Sequence, residues 1–274
     1  MTTRAWSLAY LTTPTLRAAE MLRTAHAIGY GFVGLRIAAN LPGTPYQALV
    51  DAPAELAELK AVMADTGTGV FDLEIIRIGE RFDVTAHLPM LDVGQAIGAR
   101  AVLVAADDTD TARLADSYAR LCEAMAPRGL TADLEFMPWT AVKTAREALA
   151  VVRAAGHPSN AGVLVDALHY ARSGTTLADI AALPRDLLHY AQACDAPAPP
   201  GHRFTDDELV HTARSERLMP GEGGIDLRGL FGALPAGLPV SVEIPHLQRQ
   251  AALPPIEFAR QALAAARAVL DPPA

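Results

Sequence analysis

Side chains with oxygen donors close four apolar segments in the second half of the chain. They are Glu135 in LEF, Asp166 in VLVD, Gln192 in LLHYAQACD and Glu243 in VSVEI. In one cavity, three carboxylates would repel each other and their pKa values would rise unless a cation held them. Carboxylate and amide oxygens suit Mg²⁺ or Mn²⁺ better than Zn²⁺, which favours nitrogen and sulfur. The residues predict one divalent metal ion, Mn²⁺ or Mg²⁺ first, with Co²⁺ or Zn²⁺ as alternatives.

Each of these residues also has a purely structural interpretation. Asp166 could cap the following helical turn, and Gln192 could be a buried amide satisfied by its neighbours. Glu135 or Glu243 alone could cap a helix or pair with a basic side chain. The metal-site hypothesis therefore requires a fold that brings the ends of separate strands together.

Apolar periodicity predicts eight strands, each followed by a helical pattern. The predicted strands cover residues 5–11, 32–37, 69–76, 101–106, 131–136, 162–166, 187–195 and 238–244. Early helices are predicted from Pro14 to about Ile28, over 52–67 and over 82–98. Strands separated by helices pair in parallel, and 274 residues give about 34 per unit, the length of one βα repeat.

These units predict a single (β/α)8 TIM barrel over residues 1–274, in which the active site lies where the strands end. A doubly wound open sheet is the alternative, but no glycine fingerprint follows the first predicted strand. The one long irregular stretch, residues 196–224, is predicted to be a loop that covers the substrate, and its acidic run at 206–208 is predicted to start a solvated helix.

Composition narrows the function classes. The formal net charge is −8 and no Lys/Arg cluster appears, which argues against a nucleic-acid partner and favours a small-molecule substrate. Two cysteines, Cys122 and Cys194, indicate free thiols in a reducing compartment. No apolar run is long enough for a membrane helix and the N-terminus lacks a signal-peptide core, so a cytoplasmic location is predicted.

Two further residues are predicted to bind substrate. Arg36 ends the second predicted strand and could neutralise an anionic group, although an ion pair with Glu74 on the next strand explains it equally well. Trp139 follows the fifth strand and could wall the pocket with apolar surface. For Arg172, in the segment VLVDALHYARSG, an ion pair with a carboxylate and a contact with substrate are both possible interpretations.

The motifs LEFMPW, VLVDALHYARSG, HYAQACD, RLMPGEGGIDL and VSVEIP, in this order, resemble the sugar phosphate isomerase/epimerase family with a xylose isomerase-like TIM barrel. The resemblance covers essentially the whole chain. It implies that Glu135, Asp166, Gln192 and Glu243 bind one divalent metal. It also implies that His169, three residues after the Asp, and Arg217, before the PGEG turn, contact substrate. Relatives commonly pair, which favours a homodimer.

The resemblance implies a metal-dependent isomerase or epimerase of a keto sugar or related polyol. A metal chelated by the substrate would acidify the proton next to the carbonyl and stabilise the enediolate. Glu135 and Glu243, on opposite faces of the substrate, would remove and return the proton, and His169 with Arg217 would fix the oxygens.

One ligand departs from the sugar epimerases, which typically have His where this chain has Gln192. A Gln at this ligand position is similar to the branch of the family that contains dehydratases of cyclic polyols and of 3-dehydroshikimate. The alternative is therefore a dehydratase in which His169 protonates a departing β-hydroxyl. Two other readings are an endonuclease of abasic DNA, which needs more histidines and a basic groove, and a non-enzymatic barrel, which should lack a ligand.

Overall fold

The structure is a computed structural model in which residues 4–39, 43–199 and 201–271 are described. Eight parallel strands form a closed barrel in sequence order. The strands are β1 Trp6–Leu8, β2 Phe32–Leu35, β3 Gly69–Ile78, β4 Ala101–Ala106, β5 Thr131–Glu135, β6 Ala161–Asp166, β7 Ala191–Ala193 and β8 Val240–Val242. Strand β1 closes the barrel by pairing Trp6 with Val240. The predicted TIM barrel and all eight predicted strands are confirmed.

Helices follow the strands around the outside of the barrel. They are α1 Ala18–Ile28, α2 Pro53–Thr66, α3 Leu88–Ala96, α4 Thr111–Met125, α5 Ala145–Ala154, α6 Ala167–Arg172, α7 Leu177–Ala181, α8 Asp206–Ser215, α9 Leu227–Ala233, α10 Leu247–Ala252 and α11 Pro255–Leu270. Among the described residues, no helix is both long enough and apolar enough to cross a membrane.

Local capping explains where several helices begin. Asp110 accepts hydrogen bonds from the backbone N–H groups of Ala112 and Arg113 at the start of α4. Helix α5 begins with a capping box between Thr144 and Glu147. These side chains satisfy N–H groups that have no partner inside the helix.

Some predicted boundaries were wrong. Helix α1 begins at Ala18 rather than at Pro14, where the side chain of Glu20 accepts a hydrogen bond from the backbone N–H of Arg17 over 2.9 Å. The segment 82–98 is a 3-10 turn over Val84–His87 followed by α3. Within the segment 196–224 the predicted helix start at 206–208 is confirmed, because Thr205 and Glu208 form a capping box that begins α8.

The core has two layers. The larger one lies between the strands and the surrounding helices. A smaller cluster fills the inside of the barrel and contains Phe71, Ala101, Leu103, Ala105, Met137, Leu164 and Tyr190. The barrel is therefore a packed support for the residues at its mouth. Both predicted free thiols, Cys122 and Cys194, are buried and unbridged.

Candidate functional site

The strand ends place the four predicted ligands at one end of the barrel. Glu135 and Asp166 are the last residues of β5 and β6, Gln192 lies in β7, and Glu243 directly follows β8. Asp166 and Gln192 are register partners on neighbouring strands. All four side chains are at most 3% exposed. The barrel thus collects three carboxyl groups and one amide in a region shielded from water.

His169 joins two of these carboxyl groups. Donor atoms of Glu135, Asp166 and His169 lie within 4.8 Å of one another, as a shared cation would require. The Nε2 atom of His169 is 3.6 Å from Oε1 of Glu135 and 3.9 Å from Oδ1 of Asp166. The backbone N–H of His169 donates to Asp166 Oδ1 over 3.0 Å, which caps α6. Asp166 therefore both caps α6 and belongs to the cluster of possible metal ligands.

Arg217 lies between two of the predicted ligands. Its Nη1 atom is 2.6 Å from Asp166 Oδ2, and its Nη2 atom is 2.9 Å from Glu243 Oε2. Its Nε atom donates to the carbonyl of Ala213 in α8 over 3.0 Å. The side chain is buried. Arg217, two residues after the end of α8, therefore brings a guanidinium to the acidic cluster from outside the eight strands.

Burial and crowding perturb the carboxyl groups strongly. Burial raises the pKa of Glu135 well above its usual value, and Asp166 and Glu243 raise it further. Burial likewise raises the pKa of Glu243 to about 8, opposed by Arg217 and supported by Glu74. For Asp166, burial alone would raise the pKa, but Arg217 and His169 bring it below its usual value. With a pKa of about 8, Glu243 is mostly protonated at neutral pH when no cation is bound.

Unpaired buried atoms test whether a metal ion fits this donor set. Oε1 of Glu135 and both Oε1 and Nε2 of Gln192 are buried with no hydrogen-bond partner among the described residues. Buried polar atoms are normally paired, because an unpaired one costs about 1–3 kcal/mol. A cation with oxygen ligands would satisfy Glu135 and Gln192 together, so the residues fit a divalent metal.

The predicted substrate residues surround one cavity. Its lining includes Arg36, Glu135, Trp139, His169, Arg217 and Glu243. Asp166 and Gln192 do not line it, because both are fully buried beneath the opening. The Trp139 ring meets the His169 imidazole edge-on, with centroids 4.9 Å apart. Burial lowers the pKa of His169 to about 4, so this imidazole is neutral at neutral pH.

Other sequence candidates have mostly structural contacts. Arg36 Nη2 is 3.5 Å from Oε1 of Glu74, as the ion-pair interpretation predicted. The Arg172 guanidinium lies 4.0 Å above the centroid of the Phe204 ring and donates to the carbonyl of Pro197. Arg172 therefore fastens the segment that follows β7.

Sequence reasoning missed Arg77 and Arg214, which also line the cavity. Strand β3 continues to Ile78, two residues beyond its predicted end, and so carries Arg77 to the mouth. Arg214 lies in the last turn of α8, a helix whose start at 206–208 was predicted but whose side chains were not assigned to the site.

Comparison with known proteins agrees with this architecture. The model of the xylose isomerase-like TIM barrel family matches residues 22–269, so the chain belongs to that family. A 3-dehydroshikimate dehydratase of Pseudomonas aeruginosa is 32% identical over 162 residues, which cover 56% of this chain and 24% of that protein. The chain therefore matches only about a quarter of the length of that relative.

Two solved structures illustrate the range of the fold. The IolI protein with a bound zinc atom superposes with a TM-score of 0.81 at 19% identity, covering 97% of this chain and 98% of that one. A D-allulose 3-epimerase from Methylomonas sp. gives a TM-score of 0.69 at 17% identity, covering 97% of each chain. At these identities the likeness shows the fold.

Proposed function

We propose that this chain is a divalent-metal-dependent isomerase or epimerase that removes a proton next to the carbonyl of a keto sugar or related polyol. The observation that carries the proposal is the joint burial of Glu135, Glu243 and the unpaired amide of Gln192 at one barrel mouth. The zinc-bound IolI structure supports a divalent metal in this fold. Mn²⁺ and Mg²⁺ suit the oxygen ligands, and Co²⁺ or Zn²⁺ are alternatives.

Glu135, Asp166, Gln192 and Glu243 would hold the metal. When bound, the cation supplies Lewis-acid polarisation of the substrate carbonyl. Glu135 and Glu243 both line the cavity, so one can take the proton next to the carbonyl and the other can return it from the opposite face. Neutral His169 can hydrogen-bond a substrate oxygen, and Arg217 can orient a second one while it positions Asp166 and Glu243.

The second candidate is a dehydratase of a cyclic polyol or of a keto acid similar to 3-dehydroshikimate. Two observations favour it: Gln192 stands where sugar epimerases typically have His, and a relative with 32% identity is a 3-dehydroshikimate dehydratase. The first proton transfer would be the same. His169 would then pass the proton that Glu135 takes from carbon to the departing β-hydroxyl, which leaves as water; Nε2 of His169 is 3.6 Å from Oε1 of Glu135.

The first test is metal content. Protein purified without chelator and exchanged into Mn²⁺ should contain about one metal per chain, and Glu243→Ala should lose it. Asp133→Asn is the matched control, because Asp133 is an equally buried acid outside the cavity lining. Absence of metal from the wild-type protein would refute both candidate reactions.

The second test separates the two candidates. Keto sugars and 3-dehydroshikimate would be incubated with the Mn²⁺-loaded protein in D2O, and NMR would follow the proton next to the carbonyl. Deuterium incorporation with recovery of an epimer or isomer supports the first candidate. Loss of water to give an unsaturated product supports the second. No exchange with any compound of either class would refute the assigned proton abstraction.

Three further assignments belong to the same proposal. The substrate is a small molecule rather than nucleic acid or membrane, the enzyme acts in the cytoplasm, and the chain pairs as a homodimer. The segment 196–224 covers the substrate. Two contacts support this assignment: Arg172 lies over the ring of Phe204, and Arg217, which follows α8, pairs with Asp166. Light scattering coupled to gel filtration would give the mass and would refute the homodimer if one chain eluted alone.

A further inference from the structure

Three arginines line the cavity on the side of β2, β3 and α8. Arg36 follows β2, Arg77 lies in β3, and Arg214 lies in the last turn of α8. Arg217 lies three positions after Arg214, just beyond the end of α8 at Ser215. The metal-ligand candidates come from β5 to β8. The cavity therefore has an acidic group of residues and a separate basic one.

Two of the arginines are only partly used by the protein. Arg36 is 8% exposed, lies 5.0 Å from the centroid of the Tyr10 ring, and has a buried Nε with no hydrogen-bond partner among the described residues. Its contact with Glu74 is a loose 3.5 Å. Arg77 donates through Nε and Nη2 to Asp107, both over 2.7 Å. Glu74 and Asp107 thus supply two carboxylates for the three guanidinium groups of this side of the cavity.

Arg214 has no such partner. Within the described parts of the chain, no carboxylate lies in ion-pair range of it, and it is more exposed than Arg36. Burial lowers its pKa, and the positive charges of Arg77 and Arg36 lower it further. Mutual repulsion of this kind costs free energy until an anion is added. The buried Nε of Arg36 and the unpaired guanidinium of Arg214 are thus free to bind one.

The loop that could hold a phosphate is already filled by the protein. In TIM barrels, phosphate groups commonly bind to backbone N–H groups after strands seven and eight. Here the fully buried Asp195 accepts from the backbone N–H groups of Gly221 over 3.0 Å and of Ile225 over 3.1 Å. These two N–H groups are thus not available to a phosphate, and guanidinium groups bind a planar carboxylate through paired hydrogen bonds.

We propose that the substrate carries a carboxylate, which Arg214 binds together with Arg36 and Arg77 while the reacting carbonyl faces Glu135 and Glu243. The inference rests on the proposed function and deepens it, because it restricts the substrate to a sugar acid or keto acid. Neutral keto sugars would lack the group that these arginines bind.

The test compares compounds that differ in one group. Binding to the Mn²⁺-loaded protein would be measured by calorimetry for D-glucuronate, D-glucose and D-glucose 6-phosphate, and for shikimate and its methyl ester. At least one carboxylate should bind about tenfold or more tightly than its neutral counterpart, and added NaCl should weaken it. Arg214→Ala should weaken that carboxylate about ten- to hundredfold, with little effect on the neutral compound.

Arg153→Ala is the matched control. Arg153 is also an exposed arginine in the last turn of a helix, makes no ion pair with a described residue, and does not line the cavity. It should leave the preference for a carboxylate unchanged. Equal binding of charged and neutral partners, tighter binding of the phosphate, no binding of any probe, or a preference kept in Arg214→Ala would each overturn the proposal.

Metal content measured on the same samples separates the two proposals. One Mn²⁺ per chain without a preference for carboxylates would overturn the arginine subsite and leave the proposed reaction standing. A preference that depends on Arg214 in protein that binds no metal would support the subsite and overturn the metal-dependent reaction.

Discussion

Two buried carboxyl groups on β5, Asp133 and Glu135, lie two residues apart and therefore on the same face of the strand. Asp133 accepts hydrogen bonds from the Thr131 hydroxyl over 2.6 Å and lies 2.8 Å from Nδ1 of His189. Glu135 has an oxygen with no hydrogen-bond partner in the described chain. Burial is the same at both positions, so the difference lies in whether the protein itself satisfies the group.

At the base of the barrel, the carboxyl group of Asp133 is closely surrounded by other atoms. A Cβ atom at Gly162 would lie 2.2 Å from Oδ1 of Asp133 and 2.6 Å from Nδ1 of His189, so no larger residue fits there. At the mouth, Arg217 pairs with Asp166 and Glu243, and Glu135 and Glu243 line a cavity. A satisfied buried acid stabilises the fold, whereas unsatisfied ones indicate a binding site.

The largest effect is expected from Glu243→Ala. This change removes a predicted ligand and one of two candidate proton-transfer groups, so turnover of the identified substrate should fall by about 10³-fold or more. Bound Mn²⁺, measured by elemental analysis, should be lost with it. Retention of a full complement of metal would remove Glu243 from the ligand set.

The pH dependence of metal binding should be steep. Glu243 has a pKa of about 8 in the metal-free protein, raised first by burial, and must lose its proton to bind a cation. Affinity for Mn²⁺ should therefore fall by about tenfold or more for each pH unit below 8, since at least the proton of Glu243 is released per ion bound. Calorimetry in buffers of different ionisation enthalpy would count that proton. A flat profile between pH 6 and 8 would contradict the assignment.

Gln192 should contribute less than the carboxylates because its amide is neutral. We expect Gln192→Ala to weaken Mn²⁺ binding by about 10- to 100-fold, as for other groups that support a metal site. Gln192→His should still bind metal, with an altered preference towards Zn²⁺, since imidazole suits that ion. Unchanged affinity in Gln192→Ala would show that the amide belongs to the fold, as Asp133 does.

A substitution at the base of the barrel, beside Asp133, should change stability and leave metal binding unchanged. Gly162→Ala would force a methyl group against Asp133 and His189, and should lower the free energy of unfolding by about 1–3 kcal/mol. Urea denaturation of the metal-free protein would measure this loss. Mn²⁺ stoichiometry should stay at the wild-type value. Loss of metal in this variant would mean that base and mouth are coupled, and that the contrast between them does not separate structure from function.

The sequence by itself determined the barrel and the strand-end ligand candidates. Both follow from local periodicity: apolar strands alternate with helices, and parallel strands put the residues at their ends on one edge. Boundaries were less predictable where side-chain capping decided them, as at Ala18, where Arg17 and Glu20 begin α1.

Only the tertiary structure decided which charges meet. Arg217 bridges Asp166 and Glu243 although 51 residues separate it from the first of these, and Arg36, Arg77 and Arg214 reach one cavity from three different elements. No local pattern encodes such distances, because they depend on how the strands close and where α8 packs. The same closure left Oε1 of Glu135 without a hydrogen-bond partner among the described residues. It satisfied Asp133, whose partners include His189, a residue distant in the chain.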